Sequence, residues 1–199
     1  GDILVAQSNS NYSLLKQIGA NLIGAGKSNN LKHSADIITL LRDSNKDGIP
    51  ELRETFLSES EGLNQPFGML VIGNWFYVAN TNAILRYPYK AGQTKLTGKG
   101  EKIVDLPAGK HNRHWSRNII ASSDNTKIYI AVGSGSNIAE NGIENELLRA
   151  NILEVNPDGS DLRVFAAGLR NPVGMDWEPQ TKTLWTVVNE RDGLGDDLV

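Results

Sequence analysis

Three short β-rich runs, Phe76–Asn80, Ile128–Val132 and Leu184–Asn189, carry an aromatic residue at the same place, with Tyr77, Tyr129 and Trp185 spaced 52 and 56 residues apart. A fourth run, Ile3–Gln7, matches them, but Leu4 stands 73 residues before Tyr77, so the first interval needs an insertion. Upstream of the last three runs a second element recurs as Gly68–Ile72, Asn118–Ser122 and Gly174–Trp177. Each is joined to its run by a turn: Gly73-Asn74, Ser123-Asp124-Asn125 and Pro179-Gln180-Thr181. Ala83–Tyr87 and Ala150–Val155 read as further strands, the second closed by the turn Asn156-Pro157-Asp158-Gly159. A meander of about four strands recurring every 50 or so residues is the mark of a β-propeller blade. The expectation is therefore one all-β domain over residues 1–199, with three full blades and pieces of others. A propeller closes on itself to remove open sheet edges and needs at least four blades to do so. Gly1-Asp2 is no initiator or signal segment, and Leu198-Val199 is no polar tail, so the chain is expected to be a fragment or a processed form. Helical pattern is confined to Tyr12–Ile23 and Glu140–Leu148, and 8–36 reads as an irregular insertion.

Composition removes several function classes. Hydrophobic residues at 39% and charged residues at 22% are those of a globular protein rather than a disordered or fibrous one. A net charge of -3 argues against non-specific nucleic-acid binding. No apolar run approaches the roughly 18 residues of a membrane span. The absence of cysteine excludes disulfides, thiolate metal sites and a cysteine nucleophile.

The strongest short motif is the loop from Asp43 to Glu54. It places side-chain oxygens of Asp43, Asn45 and Asp47 at positions 1, 3 and 5, Gly48 at 6, the carbonyl of Ile49 at 7, and carboxylates of Glu51 and Glu54 at 9 and 12. That is a calcium-loop pattern, borne here on a hairpin because Ile37–Leu41 and Thr55–Leu57 read as strands, and Glu51 is the better ligand of the two glutamates. A solvated Asn/Asp/Gly turn is the alternative. Gly24-Ala25-Gly26-Lys27-Ser28 ends like a phosphate-binding loop, but Asn21 stands where the first glycine belongs and no helix follows. Gly133-Ser134-Gly135-Ser136-Asn137 likewise follows a strand without opening a helix and reads as a blade-end loop.

Lys110–Asn118 gathers His111, His114 and three cationic side chains just before a strand, where propeller loops face the central funnel. A histidine there can act as a base near neutral pH; a surface loop with a structural histidine fits equally well. His33, in the insertion, reads as solvent-exposed. Arg170, before the last repeated strand, takes the place of a neutral residue in the equivalent loop at Asn64-Gln65-Pro66. Trp75, Trp177 and Trp185 read as blade core rather than stacking platforms.

From about Ile37 to Val199 the chain resembles the PQQ-dependent sugar dehydrogenases, six-bladed propellers that include soluble glucose dehydrogenase and sorbosone dehydrogenases. The resemblance is carried by Leu40–Asp43 with its loop, Leu63–Met69, Tyr77–Thr81, His114–Asn118, Val132–Asn137, Gly168–Pro172 and Trp185–Asp192. It implies that His114 is the base, taking a sugar hydroxyl proton while hydride passes from the anomeric carbon to the quinone, with His111 as the fallback. It implies quinone contacts from Arg170, Asn171 and Gln65, and a Ca²⁺ held by backbone carbonyls near Arg191 and Asp192. The acidic residue that supports the family's histidine is replaced by Ser134, and the family's later blades lie beyond Val199. The expected function is oxidation of an aldose or sorbosone-type sugar, dependent on PQQ and calcium, with an external electron acceptor and a periplasmic or secreted location. The alternatives are a calcium-dependent lactonase or esterase propeller and a non-enzymatic binding propeller. Open blade edges are expected to pair with another chain.

Overall fold

The structure is a computed structural model that describes residues 1–9 and 35–193. The proposed helix at Tyr12–Ile23, the Gly24–Ser28 loop, His33 and most of the 8–36 insertion lie outside the described residues. So does the chain end after Gly193.

The described strands form four antiparallel sheets in chain order. The first is β1 (Asp2–Gln7), β2 (Ile37–Arg42) and β3 (Leu52–Ser58). The second is β4 (Met69–Ile72), β5 (Trp75–Ala79), β6 (Ala83–Pro88) and β7 (Glu101–Asp105). The third is β8 (Arg117–Ala121), β9 (Ile128–Val132), β10 (Asn151–Val155) and β11 (Arg163–Ala167), and the fourth is β12 (Pro172–Trp177) with β13 (Leu184–Val188). Each neighbour in the chain is a neighbour in the sheet, the up-and-down meander of a propeller blade. β4, β8 and β12, the first strands of successive sheets, lie side by side, so the described chain is part of a β-propeller.

The continuous apolar runs that mark β5 and β9 have a packing cause. Successive side chains of a strand point to opposite faces, so a run with no polar alternation is buried on both. Phe76 and Val78 of β5 join Ile38, Leu40, Phe56 and Leu57 of the first sheet, with the Phe56 and Phe76 rings edge-to-face at 5.1 Å. Tyr77 and Ala79, on the other face, join Ile119, Ile128, Ile130 and Leu153 of the third sheet. Burial of each such large side chain contributes about 1.5–3 kcal/mol. Tyr129, on the opposite face of β9, meets Trp177 of the fourth sheet edge-to-face at 5.3 Å. Close approach also demands glycine at Gly68, where a Cβ would stand 2.7 Å from the Ile119 amide nitrogen and 2.8 Å from the Arg117 carbonyl oxygen.

Two sequence expectations need correction, and two strands went unread. Glu140–Leu148 forms only a single 3-10 turn at Ile143–Glu146, because the Glu140 carboxylate accepts from the Asn137 and Ile138 amides and closes a loop instead. The outer strands β7, in which charges flank two apolar residues, and β11, a short run of Val164-Phe165-Ala166-Ala167 after Arg163, were not singled out from sequence. Both are edges, and their charged residues pair with the inner neighbour as Arg86–Glu101 and Arg163–Glu154, each at 2.8 Å. Among the described residues Trp185 joins no core: it is 65% exposed and shares an open face with Val187, while Leu184 and Thr186 on the other face are partly buried. Trp177 is partly buried and donates Nε1–H to the Ala121 carbonyl, and Trp75 packs beneath the Arg86 guanidinium, 4.4 Å from the ring centre.

Candidate active site

The topology of two hairpins brings distant residues together. Arg117 at the start of β8 pairs with Val132 at the end of β9, so the loop entering β8 and the loop leaving β9 emerge at one end of the sheet. Pro172 pairs with Val188 in the same way, and β12 lies against β8, which adds 168–171 and 189–193 to that end. Backbone bonds lock the loops: Arg113 N to Gly135 O at 3.1 Å, Ser134 N to Arg170 O at 2.7 Å, and Asn189 N to Asn171 O at 3.0 Å.

His114 is held at this junction. Its Nδ1 lies 2.9 Å from the Ser134 carbonyl oxygen and 3.0 Å from the Ser134 hydroxyl. Gly133 makes the approach possible, because a Cβ there would stand 2.5 Å from both His114 Cβ and Asn171 Oδ1. Burial pushes the His114 pKa below its ordinary 6.5; the bond to Ser134 opposes that shift, and the Arg170 and Arg113 charges add to it.

Arg170 is spent on structure as much as on charge. Its guanidinium donates to the Asn137 carbonyl at 2.9 Å, Asn137 Oδ1 at 2.6 Å, the Asn189 carbonyl at 3.0 Å and the Glu190 carbonyl at 2.6 Å. It thereby ties the loop after β9 to the loop after β13. Asp192 forms an ion pair with Arg113, stands 3.5 Å from Arg170, and donates its amide to Asn137 Oδ1 at 2.9 Å. Two guanidinium groups thus share one carboxylate and leave an excess of positive charge. Asn171 is buried, with its Oδ1 lacking a hydrogen-bond partner. Among the described residues, no hydrogen bond is accepted by the carbonyls of Arg191 and Asp192.

The remaining residues singled out from sequence are placed less directly. Gln65 adopts a left-handed backbone with φ 48° and donates Nε2–H to the Asn9 carbonyl at 2.8 Å. Its loop reaches the His114 loop through Thr81, which donates its amide to the Asn64 carbonyl at 3.1 Å and its hydroxyl to the Trp115 carbonyl at 2.9 Å. His111 is partly buried and, among the described residues, its ring makes no hydrogen bond that ties it to the site.

Arg117 and Asn112 are functional supports that sequence reasoning missed. Arg117 is wholly buried and donates to the carbonyls of His114 at 2.6 Å, Ser116 at 3.0 Å and Pro107 at 2.8 Å. Asn112 Oδ1 accepts from Arg117 at 2.8 Å and from Arg149 at 3.0 Å. Burial, with the Arg149 charge beside it, lowers the Arg117 pKa to about 9. The one available signal was a lone cation opening a strand that ends in Ile119-Ile120-Ala121.

The Asp43–Glu51 loop sits elsewhere. β1 ends near Pro66, whose carbonyl accepts from Ser8, and β2 runs back from that end, so the β2–β3 loop lies at the opposite end of the first sheet. Asp43, Asp47 and Glu51 bring carboxylate oxygens within 4.8 Å of one another, whereas Glu54 lies on β3 opposite Leu40. Asp43 accepts from the amides of Lys46, Asp47 and Gly48, and Glu51 accepts from Ser44. Asn45 Oδ1 accepts from the Asp47 amide, and Ile49 is exposed with its amide donated to Asp47.

A family model described as TrAA12-like matches residues 31–198. An uncharacterized protein of Borreliella burgdorferi is 27% identical over 146 residues, covering 68% of this chain and 37% of that protein. Among solved structures, the holo form of the pyranose dehydrogenase PQQ domain from Coprinopsis cinerea aligns with a TM-score of 0.63 and 20% identity, over 78% of this chain and 39% of that one. The calcium structure of a Trichoderma reesei carbohydrate-active enzyme of family AA12 aligns with a TM-score of 0.59 and 19% identity, over 78% and 41% of the two chains. At these identities the structural likeness is one of fold. The chain spans less than half the length of the proteins it matches.

Proposed function

The chain belongs to the TrAA12-like family, and we propose that it forms part of a PQQ- and calcium-dependent dehydrogenase that oxidises an aldose or sorbosone-type sugar. The observation that carries this reading is the convergence of His114 from one loop, and of Arg170 and Asn171 from a second, onto Gly133 and Ser134 of a third. The donor set suits the cofactor. A quinone bearing carboxylates and carbonyls meets a local excess of guanidinium charge from Arg113 and Arg170, while the unpartnered buried Asn171 Oδ1 is an acceptor left for an N–H or O–H of a bound group. Carbonyls of Arg191 and Asp192 offer hard oxygen to calcium. PQQ supplies the hydride acceptor when bound, and calcium polarises and anchors it.

The chain's own residues then have defined tasks. His114 Nε2 accepts the sugar hydroxyl proton, a role that fits an imidazole kept neutral by burial. Arg170 fixes the loops around it, Asn171 orients the quinone, and Gln65 closes the site from the neighbouring blade. An uncharged sugar is compatible with a chain of net charge -3. A lactonase-type centre needs side-chain oxygens converging on a funnel ion; among the described residues, a group of three such carboxylates occurs at 43–51. The names of the two solved structures support a sugar-oxidising enzyme with PQQ and calcium; an external electron acceptor and an exported location are part of the same proposal. Among the described residues, no helix is long and apolar enough to cross a membrane. The test is addition of PQQ and Ca²⁺ to apoprotein of the full-length parent, followed by dye reduction with a panel of sugars. The expected result is sugar-dependent reduction and a quinone spectrum that survives dialysis; neither appearing with any sugar rejects the enzyme.

A further inference from the structure

Ser134 stands where the family resemblance leads one to expect a carboxylate beside the histidine, and its surroundings show how a neutral residue does the orienting. The Ser134 carbonyl oxygen can only accept, so the 2.9 Å contact with His114 Nδ1 requires the hydrogen on Nδ1. The hydroxyl gives the same answer. Ser134 Oγ donates its single proton to the Ser136 carbonyl at 2.6 Å, which leaves only lone pairs to face Nδ1 at 3.0 Å. An unprotonated Nδ1 would put its lone pair against two oxygen acceptors.

The pair of acceptors is itself braced. Glu146 Oε2 accepts from the Gly135 amide at 2.8 Å, and Glu146 Oε1 accepts from the Ser136 hydroxyl at 2.8 Å. The carboxylate therefore grips the two residues after Ser134 without touching the imidazole. Ser134 and Ser136 are buried, so the chain of bonds is shielded from water competition.

We propose that Ser134, braced through Ser136 and Gly135 by Glu146, is the positioning residue that locks His114 in the Nδ1–H tautomer and keeps the Nε2 lone pair free. This rests on the reading of His114 as a proton acceptor, since only that role makes the identity of the free nitrogen matter. A carboxylate at Nδ1 would also select this tautomer, but it would stabilise the imidazolium. Two neutral oxygens select it with a weaker pull toward the imidazolium, one that burial outweighs in the lowered pKa of His114.

The experiment is a ring-nitrogen NMR measurement on the ¹⁵N-labelled chain at mildly alkaline pH, where imidazole is neutral. His114 is assigned by the signal lost in His114→Gln. The expected wild-type pattern is a pyrrole-type Nδ1 and a pyridine-type Nε2. In Glu146→Ala, which releases the loop that carries both acceptors, the Nε2–H pattern should become detectable beside it, and more strongly than in Ser134→Ala, where the carbonyl acceptor stays. A wild-type His114 in the Nε2–H form overturns the proposal, and so does a pattern unchanged in both variants. The wild-type readout stands even if a variant fails to fold. It requires neither quinone nor sugar, so an intact Nδ1–H pattern in a protein whose parent oxidises no sugar would reject the enzyme reading and leave this one standing.

Discussion

His114 is pulled two ways, toward protonation by the oxygens of Ser134 and away from it by burial and two neighbouring guanidinium groups, and burial dominates. The sign of the pH dependence follows. With a folded-state pKa below 6.5, the neutral form persists below that pH, and His114's contribution to stability is fully present above 6.5 and lost as pH falls through the folded value. The acidic limb of kcat for the PQQ-loaded parent should therefore lie below pH 6.5, and Ser134→Asp should move it upward; a pH–rate profile checks both. Replacement of the base should be severe: His114→Ala should lower kcat by about 100- to 10,000-fold, with the folded state intact by circular dichroism. Gly133 is a packing requirement, since any Cβ there meets His114 and Asn171 at 2.5 Å. Gly133→Ala should cost about 1–3 kcal/mol in a denaturant titration. Of these residues, His114 was legible as a histidine in a cationic segment before a strand. The resemblance put Ser134 at the supporting position, but the brace from Glu146 was not legible, because no local spacing reports a partner 20 or more residues away.

At the scale of elements, the strands read most clearly where two sheets sandwich them. β5 and β9 bury both faces, so their sequences are unbroken apolar runs. β7, with charges at three of its five positions, resembles a charged loop, and β11 is a short apolar run left exposed at the blade edge. The β2–β3 loop was legible as a motif because its ligands follow one another in sequence, and the hairpin beneath it shows them converging. Calcium bound there would act on the folded state alone. A ligand at 100 times its Kd stabilises by about 2.7 kcal/mol, so millimolar Ca²⁺ should raise the Tm of the wild-type chain. Asp47→Ala should abolish the rise in a thermal scan, and no rise in the wild type would leave the loop a plain turn.

Across the whole molecule, apolar surface remains open at both flanks of the described sheets. Ile3 is 62% exposed on β1, and Trp185 and Val187 are 65% and 64% exposed on β13. Such faces, with unpaired strand edges beside them, favour association. The isolated chain should self-associate in light scattering, and Trp185→Lys with Val187→Lys should shift it toward monomer; a stable wild-type monomer would count against this. The misassigned Trp185 makes the general lesson concrete. Its run, Leu184–Val188, identifies a strand correctly because aromatic and β-branched residues select extended backbone wherever they lie. Which face finds a neighbour depends on sheets tens of residues away. By itself the sequence determined the repeat, hence the meander and the propeller, because strand pairing between chain neighbours is local and periodic. Only the tertiary structure decided the site, because antiparallel register places the entry of β8 beside the exit of β9. That register joins His114 to Ser134 and Asn171 across chain separations that no periodicity records.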